Sequence, residues 1–392
     1  MKARYLEPAI EEDVKEKMVF LGGPRQVGKT TLAQRVASRF SMSSYLNWDS
    51  RPHRRAIMQS TWSPETEMLV FDEVHKYRRW KPLIKGIWDT RAPGQKIMVT
   101  GSSRLDIYRR GGDSLQGRYH YYRLHPFTLK ELSAPTQPVA AFPKAPPHLE
   151  FGPACSELAH LMTFGGFPEP CLAGSERTLK RWQRQRFERV FREDIRDVEP
   201  IRALADVEIL GMLLPERVAA PLSFASLSTD LEVSPRTVKA WIELLCRNYY
   251  LFRVPPYHRR LQRALKKECK YYLWDWSEVP SEGARFENLV AGHLLKFCHY
   301  FQDVFGCAVD LFYLRDLEKR EADFLVTWEK TPWLIIECKL SAGASLTSLR
   351  YFADRLGVEQ RFLVVREEGI DHLDRASGVR AMSASRFLTA LV

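Results

Sequence analysis

The chain has 392 residues, 45% of them hydrophobic, with 59 Lys and Arg against 48 Asp and Glu for a formal charge of +11. That length exceeds one ordinary core, so roughly two to four units are expected, and the apolar content excludes a disordered chain. The basic surplus points to a polyanionic partner, nucleic acid before membrane, and it clusters beside aromatics in RTLKRWQRQRFERVFR (177–192) and HRRLQRALKKECK (258–270). No run long enough to span a bilayer occurs, and MKARYLEPAIEED has no apolar stretch of the kind that opens a signal peptide. The seven cysteines show no C-x-x-C pair or zinc spacing, which reads as free thiols in a reducing cytosol. A cytoplasmic protein without membrane attachment is expected.

In chain order, the first apolar run is Met18 to Leu21, which enters a glycine-rich turn; Leu32, Val36 and Phe40 then recur at helical spacing. Gly23-x-x-x-x-Gly28-Lys29-Thr30 fits the phosphate-loop pattern. Gly23, Pro24, Arg25, Gln26, Val27, Gly28, Lys29, Thr30 and Thr31 are therefore expected to hold ATP. The glycines let backbone N–H groups converge on the β-phosphate, and the helix that follows adds its positive dipole end. Lys29 is placed to bridge the β- and γ-phosphates, and the Thr30 hydroxyl to bind Mg²⁺.

EMLVFDE and KIMVTGSS are further buried-strand candidates, so strands alternating with helices imply a parallel α/β sheet. Asp72 ends the first of these strands, where an uncompensated carboxylate is costly and a Mg²⁺ ion, held through water, is a natural partner. Glu73 is expected to orient or deprotonate the attacking water. Arg118 in GGDSLQGRYHYY is a candidate finger on the γ-phosphate, in cis or from a neighbouring copy, or else a surface arginine after a glycine turn.

GPRQVGKTTL, FDEVHKYRRW, TGSSR, LQGRYHYYRLHPFTLKEL and FGGFPEP together resemble the bacterial and archaeal AAA-type ATPases. The closer resemblance is to a set whose carboxyl-terminal region is a domain of unknown function, and it covers nearly the whole chain. It implies that Ser102 or Ser103 contacts the γ-phosphate or the water, as a polar residue there does in AAA+ ATPases. By the same analogy the chain forms a homo-oligomer.

SAPTQPVAAFPKAPPH (133–148) breaks the α/β pattern and reads as a linker or surface excursion. A helical region follows to about 222. FASLSTDLEVSPRTVKAWIELLCRNYYLFRVPPY then carries two apolar-periodic helices, with Leu227 and Leu231 in the first and Val238, Trp241, Ile242 and Leu245 in the second. Ser234 is the expected N-cap, Pro235 the first helical residue, and YYLFRV a strand, so a winged helix is expected. Arg236, Thr237 and Lys239 suit contact with DNA, while packing or protein docking is the competing role.

In GARFENLVAGHLLKFCHYF the residues Phe286, Leu289, Val290, His293, Phe297 and Phe301 share one helical face, with Glu287 at its margin. His293 reads as a packed core histidine. Asp323 precedes FLVTW, and WLIIECKL puts Glu337 and Lys339 on the same face of a strand. Glu, Asp and Glu-x-Lys in this order resemble the PD-(D/E)XK nuclease fold, with Ala322 where a proline is usual. The resemblance implies that Asp323 and Glu337 bind Mg²⁺, that Glu287 completes the shell, and that Lys339 positions the water or neutralises developing charge.

The expected architecture is an α/β multidomain chain. It comprises a P-loop AAA+ core (1–132), a Pro-rich linker (133–150), a helical lid (151–222), a winged helix-turn-helix (223–278) and a restriction-endonuclease-like α/β domain (279–392). The expected function is Mg²⁺-dependent ATP hydrolysis coupled to DNA binding, with DNA cleavage if the last domain is active. The alternative is a nucleotide-gated switch or a DNA-binding regulator whose nuclease-like domain is inactive.

Overall fold

The computed structural model describes residues 2–101, 105, 115–135, 138, 139, 141–195, 204–258, 268–343 and 346–392. The chain divides into two compact units, Met1–His125 with Pro135–Ala141, and Pro126–Ala134 with Phe142–Val392. The Pro-rich stretch thus contributes residues to both units, and the short helix Leu129–Ser133 belongs to the second. Among the described residues no helix is long and apolar enough to cross a membrane.

The first unit is built on strands β1 (Met18–Gly22), β2 (Ser43–Asn47), β3 (Met68–Asp72), β4 (Lys96–Thr100) and β5 (Tyr119–Arg123). They form one parallel sheet in the order β2-β3-β4-β1-β5. Every residue of β1 and β3 is buried, as the near-continuous apolar runs require of parallel strands covered on both faces. Phe20, Leu69, Phe71, Val99 and Ile84 share one core, and Phe20 stacks on Tyr119 with centroids 4.3 Å apart. Burying such side chains contributes roughly 1.5–3 kcal/mol each. The register aligns Leu21 with Thr100, Thr100 with Asp72, and Asp72 with Asn47. The polar ends of three strands therefore meet at one edge, beside the turn that leaves β1.

The second unit begins with helices Glu157–Phe164, Pro168–Ala173, Glu176–Arg189 and Leu204–Leu213. Helices Phe224–Asp230 and Pro235–Arg247 follow, then β6 (Leu251–Val254) and β7 (Lys270–Leu273) paired as an antiparallel ribbon. The Ser234 side chain accepts from the Thr237 N–H and Pro235 opens the helix, the local chemistry that starts a helix there. Val238, Trp241, Ile242, Leu244 and Leu245 are buried, while Arg236, Lys239 and Arg247 face solvent. Residues 259–267, most of the second basic segment, lie outside the described residues.

The carboxyl-terminal part carries a six-stranded sheet: β8 (Val309–Arg315), β9 (Glu321–Trp328), β10 (Thr331–Lys339), β11 (Gln360–Val365), β12 (Asp371–Asp374) and β13 (Val379–Ser383). Its order is β12-β13-β11-β10-β9-β8; β8, β9 and β10 run antiparallel, whereas β10, β11 and β13 run parallel. The helix Thr347–Leu356 makes the crossover from β10 to β11, burying Leu349 and Phe352 against Leu325 and Ile335. The helix Glu282–Phe305 buries Phe286, Leu289, Val290, His293, Phe297 and Phe301. His293 is fully enclosed: its Nε2 accepts from the Leu129 N–H at 3.0 Å and its Nδ1 donates to the Leu289 carbonyl at 2.8 Å. Burial pushes its pKa down to about 3, so the ring is a neutral core element with both nitrogens occupied.

Candidate functional site

The phosphate-loop turn takes its shape from three left-handed residues: Gly23 at φ +138°, Gln26 at +60° and Gly28 at +98°. Gly23 could not be replaced, because a Cβ there would lie 2.5 Å from the Leu124 carbonyl oxygen. Interspersed left-handed residues turn successive N–H groups toward one concavity, which is an anion nest, and the helix Lys29–Ala37 starts directly after it. The buried Lys29 donates from Nζ to the Gly23 and Pro24 carbonyls at 3.0 and 2.7 Å, so the ammonium sits inside the loop's own curve. Arg25 and Gln26 are half-buried, and Thr31 is exposed on the first helical turn. Arg4 braces the loop from below, donating to the Val27 carbonyl at 2.8 Å and the His125 carbonyl at 2.5 Å.

Asp72 is buried at the end of β3 and accepts three hydroxyl hydrogen bonds. Thr30 Oγ1 donates to its Oδ2 at 2.9 Å, Tyr45 donates to the same oxygen, and Thr100 donates to Oδ1. Burial, followed by the hydrogen bond to Asp72, pushes the Tyr45 phenol up to about 12, so it stays a donor at any physiological pH. Among the described residues its side-chain partners are hydroxyls, one of them a threonine hydroxyl that is itself a metal-type ligand. This oxygen donor set suits Mg²⁺, and Thr30 and Asp72 are the residues that would hold it.

Glu73 follows in a left-handed conformation, φ +58°, with its N–H donated to the Thr100 carbonyl at 3.0 Å. A non-glycine residue held there stores strain, which turns the side chain out of the strand. Its carboxylate lies 3.6 Å from His75 Nε2 and 3.5 Å from Lys76 Nζ, and Lys76 also reaches Asp49 at 2.5 Å. Ser102, the expected γ-phosphate contact, lies outside the described residues. Arg118 is corrected in its cis role. Its carbonyl accepts from the Met18 N–H at 3.1 Å, at the beginning of β1, and its Nε pairs with Asp89 at 3.3 Å. Four strand steps separate that level from the loop, about 13 Å, so the guanidinium belongs to the opposite edge of the sheet.

The second constellation brings Glu287, Asp323, Glu337 and Lys339 together, and adds Lys270 and Glu321. Between β8 and β9 the register shifts: Phe312 faces Leu325 and Leu314 faces Ala322, so β9 carries one extra residue around Asp323. Asp323 Oδ2 accepts the Cys338 N–H at 2.8 Å. Lys270, fully buried, brings its ammonium to Glu321 at 2.6 Å, Glu287 at 3.0 Å and Asp323 at 3.3 Å. Tyr272, two residues along β7, donates to Glu287 at 2.7 Å, and Lys339 pairs with Glu337 at 2.6 Å.

Four carboxylates thus face two ammonium groups. Burial and the charge of Asp323 push both Glu287 and Glu337 up to about 7, so near neutrality these two take up protons and discharge the excess. Lys270 is held charged: pairing with Glu287, Asp323 and Glu321 raises its pKa against the opposing effect of burial. The Mg²⁺ implied for Asp323 and Glu337 does not fit this arrangement. A lysine ammonium already lies on three of the carboxylates, in the place a metal ion would need. Only Glu337 Oε2 in this cluster is buried without a donor, and one oxygen does not make a magnesium site.

Sequence reasoning did not find Arg4, Tyr45, Thr100, Lys270, Glu321 or Tyr272. Thr100 carried a signal, the polar end of a buried strand beside Asp72. Lys270 was hidden inside a basic segment that read as surface charge.

Parts of the chain resemble known protein families. Residues 15–133 match a family described as an AAA domain, and residues 155–278 and 282–387 match two domains of unknown function. An uncharacterized protein of Methanocaldococcus jannaschii is 24% identical over 351 residues, covering 84% of this chain and 76% of that protein. One of Mycobacterium tuberculosis is 20% identical over 261 residues, which is 66% of this chain and about half (54%) of the mycobacterial protein. Among solved structures, a Walker-type ATPase of Pyrococcus abyssi aligns with a TM-score of 0.43 at 16% identity, over 71% of this chain and 95% of that one. With its parallel sheet and its phosphate loop, the amino-terminal unit is similar to the AAA domain family whose model matches residues 15–133.

Proposed function

We propose that the protein binds ATP with Mg²⁺ at the 23–31 loop, hydrolyses it, and couples that cycle to DNA held by the second unit. The observation that carries the ATPase reading is the Thr30–Asp72 hydrogen bond at 2.9 Å, which joins the loop's first helical turn to a buried carboxylate on a neighbouring strand. Mg²⁺ supplies charge neutralisation of the phosphates when bound. The loop N–H groups and Lys29 hold and orient the phosphates, and Glu73 takes the proton of the attacking water. Glu73→Gln should retain Mg²⁺-dependent nucleotide binding while phosphate release falls about a hundredfold. Undiminished turnover would remove Glu73 from this role, and no affinity of the wild-type chain for ATP with Mg²⁺ would sink the whole reading.

The DNA partner is supported by the helix Pro235–Arg247, whose solvent face carries Arg236, Lys239 and Arg247 above an apolar buried face. The helix, turn, helix and ribbon order supports reading this region as a winged helix. The last domain, a helix followed by three antiparallel strands and a parallel crossover, is read as nuclease-like. The ion pairs of Lys270 favour an inactive form of it over one that cleaves. Duplex binding should weaken with added salt, and Arg236→Ala with Lys239→Ala should lower the salt slope by about one to two. Binding that ignores both changes would assign this helix to packing or protein docking instead.

A further inference from the structure

The carboxylates of Glu287, Glu321 and the buried Asp323 come from a helix and from β9, whereas the cation between them comes from β7. Lys270 opens that strand, where it pairs with Val254 of β6 and bridges to Pro221. Neighbouring backbone ties hold the ribbon against β8: the Tyr257 N–H donates to the Tyr313 carbonyl at 2.7 Å, and the Tyr313 N–H to the Pro255 carbonyl at 3.0 Å. The Tyr313 hydroxyl donates to the Glu268 carbonyl at 2.6 Å, two residues before Lys270, and the ammonium lies 5.7 Å from the Tyr313 ring centroid. The lysine is therefore delivered by a ribbon that is itself anchored on both sides.

We infer that Lys270 is the resident cation of this cluster: its ammonium takes the position a divalent metal would take, excludes one, and latches the β6–β7 ribbon to β9 and the Glu282–Phe305 helix. A compact ammonium with three N–H donors matches three carboxylates at 2.6–3.3 Å, which satisfies them without any ion from solution. A second, doubly charged ion at that place would lie within a few ångströms of the ammonium and be repelled by it. The cluster can admit a metal only if β7 withdraws, so access is tied to the position of the ribbon.

The test is Mn²⁺ binding to the nucleotide-free full chain, read by electron paramagnetic resonance. Wild type and Asp323→Asn should give the same isotherm, because Asp323 holds no metal. A wild-type site of one equivalent that Asp323→Asn removes would overturn the inference. Lys270→Met should gain one Mn²⁺ equivalent that wild type lacks, lost again when Asp323→Asn is added. A folded Lys270→Met chain with no such gain would equally overturn it. Lys270→Arg, which keeps the charge, should fold and remain without the site, and Mn²⁺ uptake by that variant would count against the latch. If Lys270→Met does not fold, the comparison of wild type with Asp323→Asn still decides.

Discussion

Asp72 and Asp323 are both buried at sites where a sequence reading places Mg²⁺, yet their surroundings answer the same electrostatic problem in opposite ways. Around Asp72 the compensation comes from three hydroxyls, which are neutral and can turn away, so the carboxylate oxygens stay accessible to a cation. Around Asp323 it comes from a backbone N–H and a buried ammonium shared with two glutamates, so the charge is cancelled within the protein. Hydroxyl donors leave a carboxylate ready for an ion that comes and goes with substrate. A lysine makes it part of the scaffold. The two acidic sites thus differ in how their charge is compensated although both follow a phosphate-chemistry pattern in the sequence.

Substitution of the two lysines gives the widest separation between the sites. Lys29→Ala should lower ATP hydrolysis about a thousandfold without unfolding the chain, because a cation aimed at phosphate is lost. Phosphate release measures this, and a loss below tenfold would break the assignment of the first site to catalysis. Lys270→Ala should do the reverse, destabilising the second unit by about 3 kcal/mol as buried carboxylates lose their counter-ion. Urea unfolding followed by tryptophan fluorescence reads it, and a neutral outcome would show that the cluster tolerates the loss by protonation alone.

His293 sharpens the comparison from the pH side. Its folded pKa of about 3 lies below the ordinary 6.5, so the unfolded chain binds a proton that the folded one refuses. Its contribution is fully present above pH 6.5 and is lost as pH falls, by about 2 kcal/mol on going to pH 5. Glu287 and Glu337, raised from 4.5 to about 7, act with the opposite sign: they favour the folded state at low pH and lose that advantage as pH rises to 7. The imidazole itself is therefore the thing to follow. Its proton resonances should stay flat from pH 8 to 5, and a titration near 6.5 would mean that the ring is not enclosed as described.

The smallest effects are expected at the margins of each site. Lys339 is partly exposed and pairs with one glutamate, so Lys339→Ala should change stability by no more than about 1 kcal/mol. Arg118→Ala should leave turnover within about twofold of wild type, since its side chain pairs with Asp89 at the far edge of the sheet. A large loss would mean that a neighbouring copy supplies this arginine.

The sequence by itself determined the local shape of the phosphate-loop turn and the strand that carries Asp72. A glycine-rich turn has few conformations, its spacing to Lys29 and Thr30 is local, and apolar runs ending in a carboxylate mark buried parallel strands. The capped helix at Ser234 and the apolar face of the 282–305 helix were legible for the same reason, since caps and periodicity act within a few residues. Tertiary structure decided everything that depended on long-range pairing. The order of the strands set Thr100 and Tyr45 against Asp72, the β5 register carried Arg118 to the wrong end for a cis contact, and the fold brought Lys270 from a distant ribbon onto Asp323. Charge compensation of a buried group acts through space over a few ångströms and takes no account of separation along the chain, so no local pattern could have announced it.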